Sequence, residues 1–229
     1  MGLNESKGNM YEGVVTWNPL AGKCPHRCGY CSTISLKRFP LIREKYSGEL
    51  RFEYSHPKKP KDEQIVFVVG QNDLFAQAVP DSIIAQVINI CNSLDYKYLF
   101  QSKNPGRFSN WLFAFPEKSI LCTTIETNRT YPGMGIAPNT FTRAEAMHNI
   151  KLFEKHVTIE PIFDFDPEQM LILIRMCHPS VVNIGADSKR HNLSEPSKEK
   201  VLSLIAELEK FTVVKQKSNL KRLLNGTGK

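Results

Sequence analysis

Gln64-Ile65-Val66-Phe67-Val68-Val69-Gly70 is a continuous apolar, β-branched run ending in glycine, the pattern of a strand buried on both faces. Pro80-Asp81-Ser82 then signals a helix start ahead of Ile83 to Leu94, whose apolar residues recur at helical spacing. Tyr96 to Ser102 reads as the next strand. Strand, helix and strand in this order imply a right-handed βαβ unit with parallel strands.

The alternation continues on both sides of this unit. Toward the C-terminus, Pro105 to Phe115 reads as a helix, Ser119 to Glu126 as a fourth strand, Thr142 to Glu154 as a helix and His156 to Pro161 as a fifth strand. A Gly/Pro-rich loop with Pro132, Gly133, Gly135 and Pro138 follows the fourth strand. Asp166-Pro167-Glu168-Gln169 opens the next helix with an N-cap, a proline at the first position and Gln three residues after the cap. Pro179 to Ala186 is a sixth strand, Pro196 to Lys210 an amphipathic helix and Phe211 to Gln216 a seventh strand, with a short helix near Leu220 to Leu224. Toward the N-terminus, Val14 to Asn18 is the first strand and Ser32 to Phe39 a short basic helix. Residues 40–64 mix charges, aromatics and prolines, Pro57 and Pro60 among them, and read as an irregular insertion. The expected fold is α/β, a partial, open β/α TIM-like barrel of about six or seven parallel strands. It occupies residues 13–217, between a flexible N-terminal segment, 1–12, and a basic C-terminal tail, 218–229.

At 229 residues the chain suits one large domain better than two. No apolar run approaches the roughly 20 residues that span a bilayer, and Met1 to Glu12 has no apolar signal-peptide core. A cytoplasmic protein with no membrane contact is expected, where clustered cysteines point to metal or catalysis over disulfides. The net charge of +7 favours a polyanionic partner, nucleic acid first. Many soluble proteins carry such a charge without one, and the two readings weigh equally. The basic residues are dispersed, with a denser patch at Lys58, Lys59 and Lys61 and a tail from Lys215 to Lys229.

Cys24-Pro25-His26-Arg27-Cys28-Gly29-Tyr30-Cys31 places three thiols at C-x3-C-x2-C spacing directly after the first strand. Three thiolates on a short loop can hold three irons of a cubane cluster and leave the fourth iron open. A structural zinc site wants four Cys or His ligands, and His26 as the fourth would sit strained inside the same tight loop. Cys91, Cys122 and Cys177 fall in apolar helices or strands and read as buried core thiols. Barrel chemistry sits on the loops after the C-terminal strand ends. Those positions hold the cysteine loop, Gly70 to Phe75, Lys103 and Asn104, Glu126 to Asn128, Glu160, and Gly185 to Arg190. Glu126 and Glu160 each close an apolar strand, and a buried Glu is costly unless paired. Both are expected to face the mouth, with a salt bridge to a barrel Lys or Arg as the alternative.

The cysteine spacing, with an aromatic just before the last Cys, resembles the signature of the radical S-adenosylmethionine (SAM) superfamily. Thr16-Trp17-Asn18-Pro19, Asp73-Leu74-Phe75 with Val79-Pro80-Asp81, Lys103-Asn104-Pro105-Gly106-Arg107, Ile125-Glu126-Thr127-Asn128, Ile159-Glu160-Pro161 and Asn183-Ile184-Gly185 resemble an uncharacterised family of phage and bacterial radical-SAM-like proteins. The likeness runs from about Val14 to Lys217; the spore photoproduct lyases are looser relatives. Two departures touch no cluster ligand: Ile184-Gly185-Ala186 where the phage family often has two glycines, and Ser32 where it commonly has Tyr.

The resemblance implies a 4Fe–4S cluster on Cys24, Cys28 and Cys31, with SAM on the fourth iron. It implies an external electron donor such as flavodoxin or ferredoxin, and a 5′-deoxyadenosyl radical that abstracts hydrogen from a substrate. The usual Gly-Gly-Glu-like motif is degenerate here, Val69-Gly70-Gln71-Asn72-Asp73. Gly70, Gln71 and Asp73 are assigned to SAM, with capping of the next turn as an equal alternative for Asp73. Ser102 and Lys103 are assigned to its carboxylate or ribose, and Glu126 to the ribose hydroxyls, with Glu160 and Asn183 completing the cofactor side. Asp187, Lys189 and Arg190 line the substrate side with Asn183, whereas Lys215 and Lys217 read as solvated. No second cysteine group provides for an accessory cluster domain, and an open mouth suits a large substrate such as nucleic acid or a protein. The rival reading is a non-catalytic iron–sulfur or nucleic-acid-binding module that retains the fold.

Overall fold

The computed structural model describes residues 13–61, 64–189 and 191–225. The expected flexible segment 1–12, Arg190 and the end of the basic tail, 226–229, lie outside the described residues. One sheet holds seven parallel strands: β1 (Val14–Trp17), β2 (Ile65–Val68), β3 (Lys97–Ser102), β4 (Ser119–Thr124), β5 (Glu154–Ile159), β6 (Val181–Ile184) and β7 (Val213–Gln216). Their order in the sheet is their order in the chain, with β1 and β7 as its edges. The expected partial, open β/α barrel is therefore the observed fold.

Helices α1 (Ser32–Leu36) and α2 (Pro40–Lys45) lie between β1 and β2. Helices α3 (Asp81–Asn92), α4 (Thr140–Asn149), α5 (Pro167–Cys177) and α6 (Lys198–Leu208) cover the outer face, and α7 (Lys221–Leu224) follows β7. Strand alternation sends Val66, Val68, Tyr98, Phe100, Leu121, Val157, Val182 and Ile184 outward into the core shared with these helices. On the concave face Leu99, Ile120 and Cys122 form a smaller apolar floor with Ile65 and Phe67. Ile65 and Phe67 are only half-buried, against the expectation of burial on both faces, because the sheet does not close over them. Above that floor the face turns polar, with Gln101 Nε2 donating to Thr124 Oγ1 (3.1 Å). Thr158 and Asn183 follow in register across β5 and β6.

Several local expectations are corrected. The first part of 40–64 is not irregular: Pro40 opens α2, and Arg51–Phe52 pairs antiparallel with Leu20–Ala21, whereas 53–61 is irregular as expected. The segment after β3 is a 3-10 helix, Pro105–Trp111, pinned by Phe108 in an aromatic cluster with Phe75 and Phe115. Helix α4 stops at Asn149 because Lys155 Nζ satisfies its terminal carbonyls, Met147 O and Ile150 O, at 3.0 Å each; Glu154 already belongs to β5. Asp166 stands at the N-cap of α5 but makes no cap bond. Its carboxylate accepts from Asn128 (2.9 Å) and Arg129 instead. After β7 the described part of 218–229 buries Leu220 in the main core. Among the described residues no helix is long and apolar enough to cross a membrane.

Candidate functional site

The C-terminal strand ends open onto one cavity of about 1490 Å³, lined by Cys24, Cys28 and Cys31 together with Gly70, Gln71, Asp73, Ser102, Lys103 and Glu160. The cysteine loop is held from two sides. On one, His26 is buried with its Nε2 2.7 Å from Asp73 Oδ2. On the other, the loop after β4 takes Gly29 N on Gly133 O (2.8 Å) and Cys28 Sγ on Met134 O (3.4 Å), while Ile136 N donates to His26 O (2.9 Å). Gly135 makes this approach possible: it has φ +79°, and a Cβ there would fall 2.0 Å from His26 O. Gly135→Ala is expected to cost more than about 1 kcal/mol and lower the thermal midpoint; an unchanged midpoint would show that the two loops are not locked together.

Asp73 joins the loops after β2 and β3. Its Oδ1 accepts from Ser102 Oγ (2.7 Å) and Phe75 N (2.9 Å), and its Oδ2 from Lys103 N (2.7 Å) as well as facing His26. Burial alone would raise the Asp73 carboxyl, but His26 and the other donors hold it below the ordinary carboxylate value. Asn104 Nδ2 donates to Phe75 O (3.0 Å), and Arg107 Nη1 to Ala76 O (2.6 Å) and Val79 O (3.0 Å). The paired motifs around Asp73-Leu74-Phe75 and Lys103 to Arg107 are thus one interlocked unit. The turn out of β2 is strained: buried Val69 has φ +60°, a conformation that a β-branched residue rarely adopts. At Gly70 a Cβ would meet Thr16 Cγ2 at 2.9 Å, so this position keeps its backbone bare toward the cavity.

Glu126 is not in the mouth. It is fully buried, and its Oε1 accepts from Lys103 Nζ (2.6 Å) and from the Tyr30 hydroxyl, its Oε2 from Arg143 Nη1 (2.8 Å). The salt-bridge alternative describes it, and the carboxylate reaches the cavity only through Lys103. Burial would push Glu126 up, yet Lys103 and Arg143 outweigh it and hold it at about 2. Burial would lower the Lys103 ammonium, but Glu126 keeps it above its ordinary value. Its Nζ lies 3.6 Å from Cys28 Sγ, which puts a fixed positive charge beside a thiol of the cysteine loop.

On the opposite rim Glu160 pairs with Lys217 and accepts from Ser188 Oγ (3.2 Å). Lys217 lines the cavity, which corrects its reading as a solvated lysine; Lys215 is exposed. Asp187 accepts from Lys189 N (3.0 Å) and His191 Nδ1 lies 2.7 Å from it, so it shapes the loop that carries Lys189 and His191 to the cavity. Asn183 is buried below, on the concave face, and does not reach the lining. Sequence reasoning missed Arg143, Tyr30 as a Glu126 partner, and His26 as the partner of Asp73. Two left a trace, His26 as the rejected fourth zinc ligand and Tyr30 as the aromatic before the last Cys, whereas Arg143 left none.

Three free thiols on one loop are the donor set that a cubane cluster with one open iron would use. None is in a disulfide, and all three face one open cavity. Among the described residues no three His, Cys, Asp or Glu side chains group tightly enough to hold a metal ion. His26, the fourth ligand that a zinc site would need, has its Nε2 against Asp73. Burial and then Asp73 push the Cys24 thiol up to about 12, and a bound iron would favour its thiolate.

The chain shares the fold of spore photoproduct lyase. A solved variant of that enzyme matches with a TM-score of 0.62 at 12% identity, over 94% of this chain and 78% of that one. A second variant, with bound AdoMet and dinucleoside spore photoproduct, matches with a TM-score of 0.56 at 11% identity over the same shares. No family model and no curated protein matches the sequence. At such identities the likeness establishes the open barrel. The cavity also exceeds the roughly 300–1,000 Å³ of sites for drug-sized ligands, so there is room beside a nucleoside-sized cofactor.

Proposed function

We propose that the chain is a radical SAM enzyme in which Cys24, Cys28 and Cys31 hold a 4Fe–4S cluster, SAM binds beside it, and the substrate is nucleic acid or a nucleotide. The observation that carries this reading is the meeting of one C-x3-C-x2-C loop with the ends of β2 and β3 in a single open cavity. Cys24, Cys28 and Cys31 would hold the cluster, and with an electron from a donor such as flavodoxin or ferredoxin the cluster and SAM would supply the radical chemistry that removes a hydrogen atom from a substrate carbon.

The chain's own residues place and screen these groups. Gly70 leaves the backbone after β2 open to an ammonium group, with Gln71 next to it. The Lys103 ammonium, 3.6 Å from Cys28 Sγ, offsets negative charge there and offers a cation for a carboxylate to meet. Asp73 and Ser102 act by position, since the Asp73 carboxylate already serves four partners and the Ser102 hydroxyl bonds Asp73 and Asn104 N. Glu160 and Lys217 bound the far rim. Support for a nucleic-acid substrate comes from the net charge of +7, the size of the cavity, and the dinucleoside held by the structural neighbour.

Anaerobic reconstitution with iron and sulfide, followed by dithionite and SAM, is expected to yield 5′-deoxyadenosine. An intact cluster that never forms it would leave a non-catalytic iron–sulfur module.

A further inference from the structure

The net charge is concentrated more than a scan of the sequence suggests. Residues 32–61 carry eight Lys and Arg against three Glu, a balance of +5 within a whole-chain total of +7. This segment contains α1, α2 and the short strand Arg51–Phe52, and about half of its residues, Phe39, Tyr54 and Lys58 among them, line one wall of the cavity that the cysteines line, with Arg43 and Lys59 outside that lining. Of its acidic groups, Glu53 is occupied by Lys45 and Arg51. Lys37, Arg43, Lys58 and Lys59 have no carboxylate partner among the described residues, and Arg43, Lys58 and Lys59 are exposed.

The same wall exposes rings. Phe39 is 48% and Tyr54 73% exposed, and both line the cavity. Tyr54 is not loose: its hydroxyl lies 2.8 Å from His56 Nε2, and its ring stands edge-on to Phe52 and His56. Arg38 sits over Phe39, 4.9 Å from the ring centroid. Several ties fix the wall to the barrel, among them Trp17 Nε1 donating to Ser55 Oγ (3.0 Å), Lys45 Nζ to Asn18 O (2.8 Å) and Glu53 N to Pro19 O (2.7 Å). Rings held rigid yet left exposed do not serve a core. Basic side chains that track a phosphate backbone, interleaved with aromatic faces for bases, are the means by which single strands are bound. A duplex offers no unstacked base to such rings, and an acidic protein surface needs the charge but not the rings.

We propose that the wall formed by residues 34–59 docks single-stranded nucleic acid, with bases stacked on Phe39 and Tyr54 and phosphates met by Lys58, Lys59 and Arg43, leading the strand into the cavity. This deepens the proposed function by naming where its substrate lies, and rests on that reading for the role of the cavity.

Fluorescence anisotropy of labelled 12-nucleotide DNA and RNA single strands on the cluster-loaded protein, over a salt series, is the test. Phe39→Ala and Tyr54→Ala are each expected to weaken binding by about fivefold or more. Replacing Lys58 and Lys59 by Ala should make the slope of log K against log salt shallower by about 1.4. The thermal midpoint of each variant checks that it folds. Absence of binding at low salt overturns the proposal, as does a duplex binding as tightly as the single strand. Binding that ignores Phe39→Ala and Tyr54→Ala, with polyglutamate competing equally well, also overturns it and marks an acidic-protein site. Failure of the radical reading looks different: oligonucleotide binding persists while 5′-deoxyadenosine never forms.

Discussion

Glu126→Ala is expected to destabilise the protein by about 3–5 kcal/mol, the range for removing one partner from a buried ion pair. The carboxylate is fully buried between Lys103, 2.6 Å away, and Arg143, 2.8 Å away, and Arg143 is itself 1% exposed. Without it two cations lie in low dielectric with no counter-charge, and Tyr30 loses its acceptor. Glu126→Gln keeps the shape and drops the charge, so most of the loss should remain in that variant if electrostatics dominate. The pH dependence follows from the direction of the shift. The folded carboxyl sits at about 2, below an unfolded value of about 4.3. Its contribution is therefore full above the unfolded value and is lost as pH falls toward 2. Chemical denaturation of wild type and both variants at neutral pH and at pH 3 measures this. If Glu126→Ala unfolds within about 1 kcal/mol of wild type, the triad is not what holds Lys103 beside Cys28.

The strands were legible because burial under helices demands apolar β-branched runs, and those runs have no other common use. Ile65–Val68 is such a run, buried on its outer face, while Ser119–Thr124 is buried throughout although it ends in two threonines. The cysteine loop was legible through spacing alone. Glu126 was half legible: an apolar strand closed by Glu predicts a buried carboxylate, but alternation tells which face a residue takes and not which neighbour it meets. Its partner Arg143 sits 17 residues later, at an inward position of α4, and a single basic residue in a short helix reads as surface. Lys217 looked solvated because its partner Glu160 is 57 residues away and the two meet only when β5 and β7 flank β6. Residues 40–64 were opaque for another reason. A six-residue helix and a two-residue strand are both shorter than the window in which periodicity can be detected.

Cys28→Ala is expected to abolish assembly of a 4Fe–4S cluster, and with it any SAM cleavage. Cys28 is the middle thiol of the loop, 7% exposed, with its sulfur between Met134 O and Lys103 Nζ at 3.4 and 3.6 Å. Two remaining thiols would leave a second iron of the cubane without a protein ligand, and no nearby His replaces it, since His26 Nε2 is held by Asp73. The matched controls are Cys122→Ala and Cys177→Ala. Both thiols are fully buried away from the cavity lining, Cys122 on the concave floor with Thr158 Oγ1 3.5 Å away, Cys177 at the end of α5 bonded to Leu173 O (3.3 Å). They should bind the cluster normally and differ from wild type only in stability. Iron and sulfide content, visible absorbance and the EPR signal of the reduced protein read the outcome, with circular dichroism to show that each variant folds. A normal cluster signal from folded Cys28→Ala would sink the ligand assignment. A signal lost equally from Cys122→Ala would move the cluster to thiols that do not reach the open cavity.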